Sequence, residues 1–178
     1  QDIRQLIGEK YDGVYSDEIE DDVQRLRNGE PIEYVIGHTS FCGCVIDLSL
    51  RPHIPRSGTE KWTWSAIGTI KKVQPKEEIS CLDMFAGSGC VGIAMLRHAS
   101  RASVDFVDID PGALRQIEIN LKVNGIARHR SSVIHSDVFR GVNRKYDHIL
   151  ANPPYVPLRA KSAVSRMSLE YEPHHSFF

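Results

Sequence analysis

At 178 residues, 41% hydrophobic and 25% charged with a formal net charge of −1, the chain has the size and composition of one globular core. Two compact domains would be tight at this length, and the near-neutral balance argues against a nucleic-acid binder acting through bulk electrostatics. No run of 18 apolar residues occurs, so no membrane-spanning helix is expected.

The charge is uneven. Residues 1–30 hold nine acidic and four basic side chains, while residues 31–178 carry a net +4, which suits an anionic partner or a solvated surface equally. In 1–29, Ile3, Leu6 and Ile7, then Ile19, Val23 and Leu26, recur at helical spacing, with Ser16 and Asp17 as an N-cap and Gly29 as a stop. From Pro31 the pattern turns extended: residues 32–37 and 41–48 read as a hairpin. Cys42 and Cys44, two apart, are expected on one strand face. With Cys81 and Cys90 they show neither CxxC spacing nor a histidine cluster, so reduced thiols in an intracellular setting, and no metal, are expected. A polar loop at 54–60 opens a helix over 62–73, with Thr59 and Glu60 in its first turn. Arg56 in this loop is either a surface cation or a clamp on an acidic group.

Residues 75–78 read as a linker, after which strand and helix patterns alternate as in a parallel α/β sheet. Strands are expected at 79–83, 103–108, 133–135 and 146–150, and helices at 90–98 and 111–124, the second opened by Pro111 and stopped by Gly125. Ligands of such sheets bind beyond the carboxyl ends of the strands, where the chemically distinctive residues of this chain cluster. Gly87, Gly89 and Gly92 match a dinucleotide-binding pattern, with Asp108 at the expected distance for a ribose. Yet Asp83 puts a carboxylate where a bound cofactor would carry a cation, and a pyrophosphate prefers a helix N-terminus without one. An ammonium-bearing cofactor such as S-adenosylmethionine suits three successive strand-end carboxylates: Asp83 for the ammonium, Asp108 for the ribose, Asp137 for an adenine amine. NAD remains the alternative, either in an enzyme or in a non-catalytic binding module.

The last strand delivers Asn152, Pro153, Pro154 and Tyr155. Each proline fixes its own φ, restrains the residue before it and lacks an N–H. The Asn152 side-chain carbonyl and the Pro153 backbone carbonyl are thus two fixed acceptors beside an aromatic ring, suited to a planar NH2 group. By itself the tetrapeptide is also compatible with a plain proline-rich turn.

Asp83-Met84-Phe85-Ala86-Gly87-Ser88-Gly89, Val107-Asp108-Ile109-Asp110 and Asn152-Pro153-Pro154-Tyr155 together resemble class I S-adenosylmethionine-dependent methyltransferases acting on planar amino groups. The segments 31–37 and 41–43, with Ile54-Pro55-Arg56 and Thr59-Glu60, are similar to the HemK/PrmC family, which methylates the glutamine of the Gly-Gly-Gln loop in class 1 release factors. Tyr171-Glu172-Pro173 is similar to a family element downstream of the active site. The resemblance implies a Rossmann-like class I methyltransferase sheet with helices on both faces, preceded by a small helical segment and a β-hairpin, with C-terminal strands absent. It implies that 1–30 is a remnant of an N-terminal helical substrate-binding domain, 31–48 a hairpin linker and 49–178 an incomplete cofactor-binding domain. The cofactor site implied comprises Asp83, Phe85, Ala86, Gly87, Gly89, Asp108, Ile109, Asp137, Val138 and Asn152. Asn152, Pro153, Pro154 and Tyr155 are the implied catalytic residues, and Phe41, Arg56, Thr59 and Glu60 the implied substrate contacts. Phe85-Ala86 stands where the family usually has a glycine- or threonine-rich loop, and Ser57-Gly58 replaces its usual Pro-Glu-like pair. The implied partner is a release factor, without stable nucleic-acid or membrane binding. The rival substrate is an exocyclic base nitrogen of DNA or RNA, which the Asn-Pro-Pro-Tyr signature equally serves. No general base is evident, and His148, His174 and His175 read as surface or structural. A cytoplasmic location is expected, with an organellar form open because the chain begins at Gln1.

Overall fold

The computed structural model describes residues 2–73 and 78–178, so the expected linker at 75–78 lies almost wholly outside the described residues. Helices α1 (Asp2–Lys10) and α2 (Glu18–Arg27) come first. Helix α2 ends as expected: Gly29, at φ 86°, follows the cap, and the Glu30 N–H closes back on the Arg25 carbonyl at 3.1 Å. Its start differs. Asp17 has helical torsions and makes no side-chain capping bond.

Residues 32–36, expected to be extended, form the short helix α3 (Ile32–Ile36) between Pro31 and a left-handed Gly37. The β-branched composition is overridden by burial: Val35 and Ile36 pack on Leu6, with Val23 and Leu26 alongside. The hairpin is correspondingly shorter, β1 (His38–Phe41) against β2 (Cys44–Asp47). Its two-residue loop is Cys42-Gly43, both at positive φ, as a tight primed turn requires. Cys42 therefore sits in the turn rather than sharing a strand face with Cys44, although both are buried.

Helix α4 (Ser57–Val73) leads to a four-stranded sheet: β3 (Ile79–Met84), β4 (Ala102–Asp108), β5 (Ser131–His135) and β6 (His148–Ala151). All pairings are parallel and the order is β5-β4-β3-β6. Helix α5 (Cys90–His98) joins β3 to β4 and is buried from Cys90 to Leu96, while α6 (Pro111–Val123) joins β4 to β5. Asp110 caps α6 by accepting from the Gly112 and Ala113 N–H groups, with Pro111 in its first turn. The sheet face carrying Leu82, Met84 and Val107 is packed by Phe85, Ile134, Val142 and Tyr146. Val142 and Tyr146 belong to the helix-free crossover 136–147 from β5 to β6.

One face of α6 acts as a substitute strand for the hairpin. Asn120 accepts from the Asp47 N–H (2.7 Å), Asn124 accepts from the Val45 N–H (3.2 Å) and donates to the Val45 carbonyl (2.7 Å), and Gln116 accepts from the Leu50 N–H (2.9 Å). These amides are four residues apart, so one helical stripe satisfies the backbone edge that β2 leaves open.

The last described part, with helix α7 (Arg166–Tyr171), returns to the loop before α4. The Glu172 side chain, 1% exposed, accepts from the Ile54 N–H at 3.0 Å, lies 3.0 Å from His53 Nδ1 and pairs with the Arg56 guanidinium. Burial alone would raise this carboxyl, but His53, the Ile54 N–H and Arg56 outweigh it and hold it down at about 2.

A Cβ on Gly92 would lie 2.3 Å from the buried Phe106 ring. Gly92→Ala should therefore be destabilising by about 1–3 kcal/mol or more, against a helix-propensity gain of only ~1; a raised denaturation midpoint would contradict the packing. Glu172 is held below the ~4.3 of an unfolded glutamate, so its stabilisation is complete above about pH 5 and is lost as pH falls toward about 2. In urea titrations Glu172→Gln should be less stable than wild type at pH 7, with the gap narrowing progressively below pH 5. A pH-independent gap would rule out the ion pairing as its cause.

Candidate cofactor and acceptor site

Strands β3, β4 and β5 step in one direction across the sheet and β6 lies on the other side of β3. Their carboxyl ends therefore diverge between β3 and β6, the position where open α/β sheets bind ligands. A cavity of about 550 Å³ occupies it. Its walls include Asp83 near the end of β3 with Phe85, Ala86 and Gly87 beyond it, Asp108 at the end of β4 with Ile109 beyond it, and Asn152, Pro153, Pro154 and Tyr155 after β6.

The turn after β3 is forced into left-handed backbone at Phe85 (φ 60°), Gly87 (55°) and Gly89 (76°). Glycine takes these torsions freely, whereas an aromatic residue there is strained. Three bonds hold the turn: Ala86 N–H to the Val107 carbonyl (3.0 Å), Gly87 N–H to Asp108 Oδ2 (2.8 Å) and Gly89 N–H to the Ala86 carbonyl (2.7 Å). Asp108 Oδ1 accepts from the Asp110 N–H at 2.9 Å, so one carboxylate ties the two cofactor-side loops together.

Asp83, 2% exposed, accepts from the Gly92 N–H at 2.8 Å. Burial pushes its carboxyl up to about 8, with Asp108 adding to the rise and the Gly92 bond opposing it. An arriving cation beside it would favour its ionised form.

Not every expected residue meets at this cavity. Gly89 lies behind it against Ile117 and Phe106. Asp137 pairs with Arg140 at 2.8 Å, and with Val138 it lines a separate space of about 50 Å³. Phe85, Asp108 and Ile109 border both spaces. Phe41 is buried in the core, and Glu60 accepts from the Cys42 N–H at 2.7 Å, holding the hairpin turn. Arg56 lines the cavity and does clamp an acidic group, which is Glu172 of its own chain. Thr59 lines the cavity and accepts from Asn152 Nδ2 at 3.4 Å. Tyr155 is 79% exposed at the cavity edge.

Several cavity residues were not anticipated from sequence. His53, Trp62 and residues 173 and 175–178 contribute to its wall, and His175, read as surface or structural, lies 3.5 Å from Asp110. Tyr171-Glu172-Pro173 was the available signal for this wall. Among the described residues, no group of side chains could hold a metal ion and no helix could cross a membrane.

A family model described as the methyltransferase small domain matches residues 68–170. The release factor glutamine methyltransferase of Flavobacterium psychrophilum is 30% identical over 156 residues, 86% of this chain and 54% of that protein. The one from Streptococcus pneumoniae is 31% identical over 160 residues, 90% and 55% of the two chains. The chain thus spans about half the length of these curated relatives. Two solved structures share the fold. Trm5b from Pyrococcus abyssi has TM-score 0.54 and 21% identity, over 79% of this chain and 39% of its own. M. jannaschii TYW2 in complex with AdoMet has TM-score 0.53 and 22% identity, over 71% and 54%. With more than half its length matched, the chain belongs to the methyltransferase small domain family.

Proposed function

We propose that this chain carries the methyl-transfer site of a release factor glutamine methyltransferase, with S-adenosylmethionine as donor and the Gly-Gly-Gln loop of a class 1 release factor as acceptor. In this reading, residues 49–178 form the cofactor-binding unit, 31–48 link it, and 1–30 belong to a helical substrate-binding part. One observation carries it: a single cavity has the strand-end carboxylates Asp83 and Asp108 on one side and the Asn152–Tyr155 edge on the other. Its volume suits a nucleoside-sized ligand. The buried Asp83 carboxyl suits an α-ammonium, and Asp108, held by two loops, suits ribose hydroxyls. The donor, when bound, supplies an electrophilic methyl group on a sulfonium.

The chain's own contribution is orientation. An amide nitrogen is a weak nucleophile because its lone pair is delocalised into the carbonyl. Asn152 Oδ1 and the Pro153 carbonyl accept the two N–H hydrogens of the glutamine amide and aim its nitrogen at the methyl carbon. With the donor bound, transfer would form the N–C bond as the donor's C–S bond breaks, and the nitrogen would give up one proton to solvent. Positioning of this kind can supply up to ~7–11 kcal/mol. Tyr155, exposed at the edge, is free to cover the bound amide. Phe41 and Glu60, placed in the core and at the hairpin turn, are left out of the substrate contacts.

The test uses the full natural chain with labelled S-adenosylmethionine, a class 1 release factor and bulk RNA. Label should enter the release factor and be lost when its loop glutamine is changed to alanine. Asn152→Ala should reduce kcat by about 100-fold or more while cofactor affinity stays near wild type. Label entering RNA instead, or full turnover by Asn152→Ala, would overturn the reading.

A further inference from the structure

Methylation of an amide nitrogen releases a proton, and the acceptor edge offers it only the Asn152 and Pro153 carbonyls, which are far weaker bases than an imidazole. A group that takes this proton needs a bare lone pair at the cavity wall and a path to water. The imidazole of His53 meets both needs: it lines the cavity, and its side chain is 23% exposed. We propose that His53 is the proton acceptor of methyl transfer, its Nδ1–H held by the buried Glu172 carboxylate and its bare Nε2 available to the reacting amide. This rests on the amide-methyltransferase reading.

The neighbours of Nδ1 fix the tautomer. Glu172 Oε2 lies 3.0 Å from it. That carboxylate is surrounded by donors, with the Ile54 N–H on the same oxygen and the Arg56 guanidinium on the other, so it is ionised and can only accept. Ser176 Oγ lies 3.2 Å from Nδ1, and its one hydroxyl proton is given to the Pro173 carbonyl at 2.6 Å. Toward the ring the serine can therefore only accept as well. Two acceptors at Nδ1 require the hydrogen to be there, which leaves the lone pair of the neutral ring on Nε2. Arg56 already balances the Glu172 charge, so the ring is not needed as a second cation. Among the described residues, Nε2 makes no hydrogen bond, and the one enclosed side-chain polar atom without a partner is Ser16 Oγ, so Nε2 is open to the surrounding space.

The fold brings this ring to the acceptor edge from two sides. Val156, next to Tyr155, donates its N–H to the Phe177 carbonyl at 3.0 Å, and the Phe177 ring packs edge-on against His53 with centroids 5.1 Å apart. From the other side, Thr59 contacts Asn152 at 3.4 Å out of the turn that begins at Arg56, and Arg56 shares Glu172 with His53. The amide nitrogen, cationic once the N–C bond forms, returns to neutral as one N–H bond breaks. The electron pair of that bond stays on nitrogen, and the proton bonds to Nε2, directly or across one water. The imidazolium so formed is stabilised by Glu172 and passes the proton to solvent.

The experiment uses the full natural chain with labelled S-adenosylmethionine and a class 1 release factor. His53→Asn keeps an N–H for Glu172 and removes the base. Its kcat should fall about 100-fold, with KM, cofactor affinity and the unfolding midpoint near wild type. His53→Ala should lose as much and regain rate when imidazole is added, more so as pH rises and the free base grows, a response that a structural role would not give. An unchanged kcat in His53→Asn, or a loss in His53→Ala that imidazole does not lift, would overturn the role. Nitrogen-15 histidine spectra read the tautomer without turnover. The signal lost in His53→Asn should show hydrogen on Nδ1 and none on Nε2 in the neutral ring, and the reverse would also reject the proposal. If the wild type labels RNA instead of the release factor, the substrate reading fails alone. The same variants are then read on RNA, whose exocyclic amine also gives up a proton, with the same two outcomes.

Discussion

Everything at the site depends on how β3 is paired. Because β4 and β6 flank it on opposite sides, the chain leaves the carboxyl ends of β3 and β6 in different directions and no crossover fills the gap. The turn after β3 must then reverse sharply to start α5, which accounts for its run of left-handed residues. The exit from β6 must be stiff enough to form the opposite wall, a task suited to Pro153 and Pro154. Neither wall works without the other.

The strand-end carboxylates look alike in sequence and differ in the fold. Asp83 is enclosed and pushed toward its neutral form. Asp108 joins two loops through hydrogen bonds, one oxygen accepting a backbone N–H from each. Asp137 faces outward to Arg140 and borders only the smaller space. The left-handed Phe85 costs of order 1–3 kcal/mol. Bonds from Ala86, Gly87 and Gly89 on either side of the turn make the alternative conformations costlier still. Opposite, the Glu172 carboxylate joins the loop before α4 to the segment after α7, so the wall facing Asn152 is also held by a charge out of water.

Much of this was legible in the residues. Helix α5 matched its expected bounds, and α6 lay within a residue of them; for α6, Pro111 and Gly125 are strong local signals that packing had no reason to override. Strand ends could be placed within a few residues, which was enough to gather Asp83, Asp108 and Asn152 at one edge. What failed had long-range causes. Residues 32–36 have strand composition, and only burial against Leu6 makes them helical. Gln116, Asn120 and Asn124 form a polar stripe that reads as a solvent face until β2 lies against it. The partner of Arg56 is 116 residues away, beyond any local pattern, and Phe41 and Glu60 served the hairpin rather than the cavity.

The most direct test of the account is a crystal structure of the full natural chain with S-adenosylmethionine bound. The account predicts the ammonium group at Asp83, the ribose at Asp108, and the sulfonium methyl directed at the edge formed by Asn152 Oδ1 and the Pro153 carbonyl. A cofactor seated elsewhere, or one in this cavity with its methyl group turned away from Asn152, would contradict it.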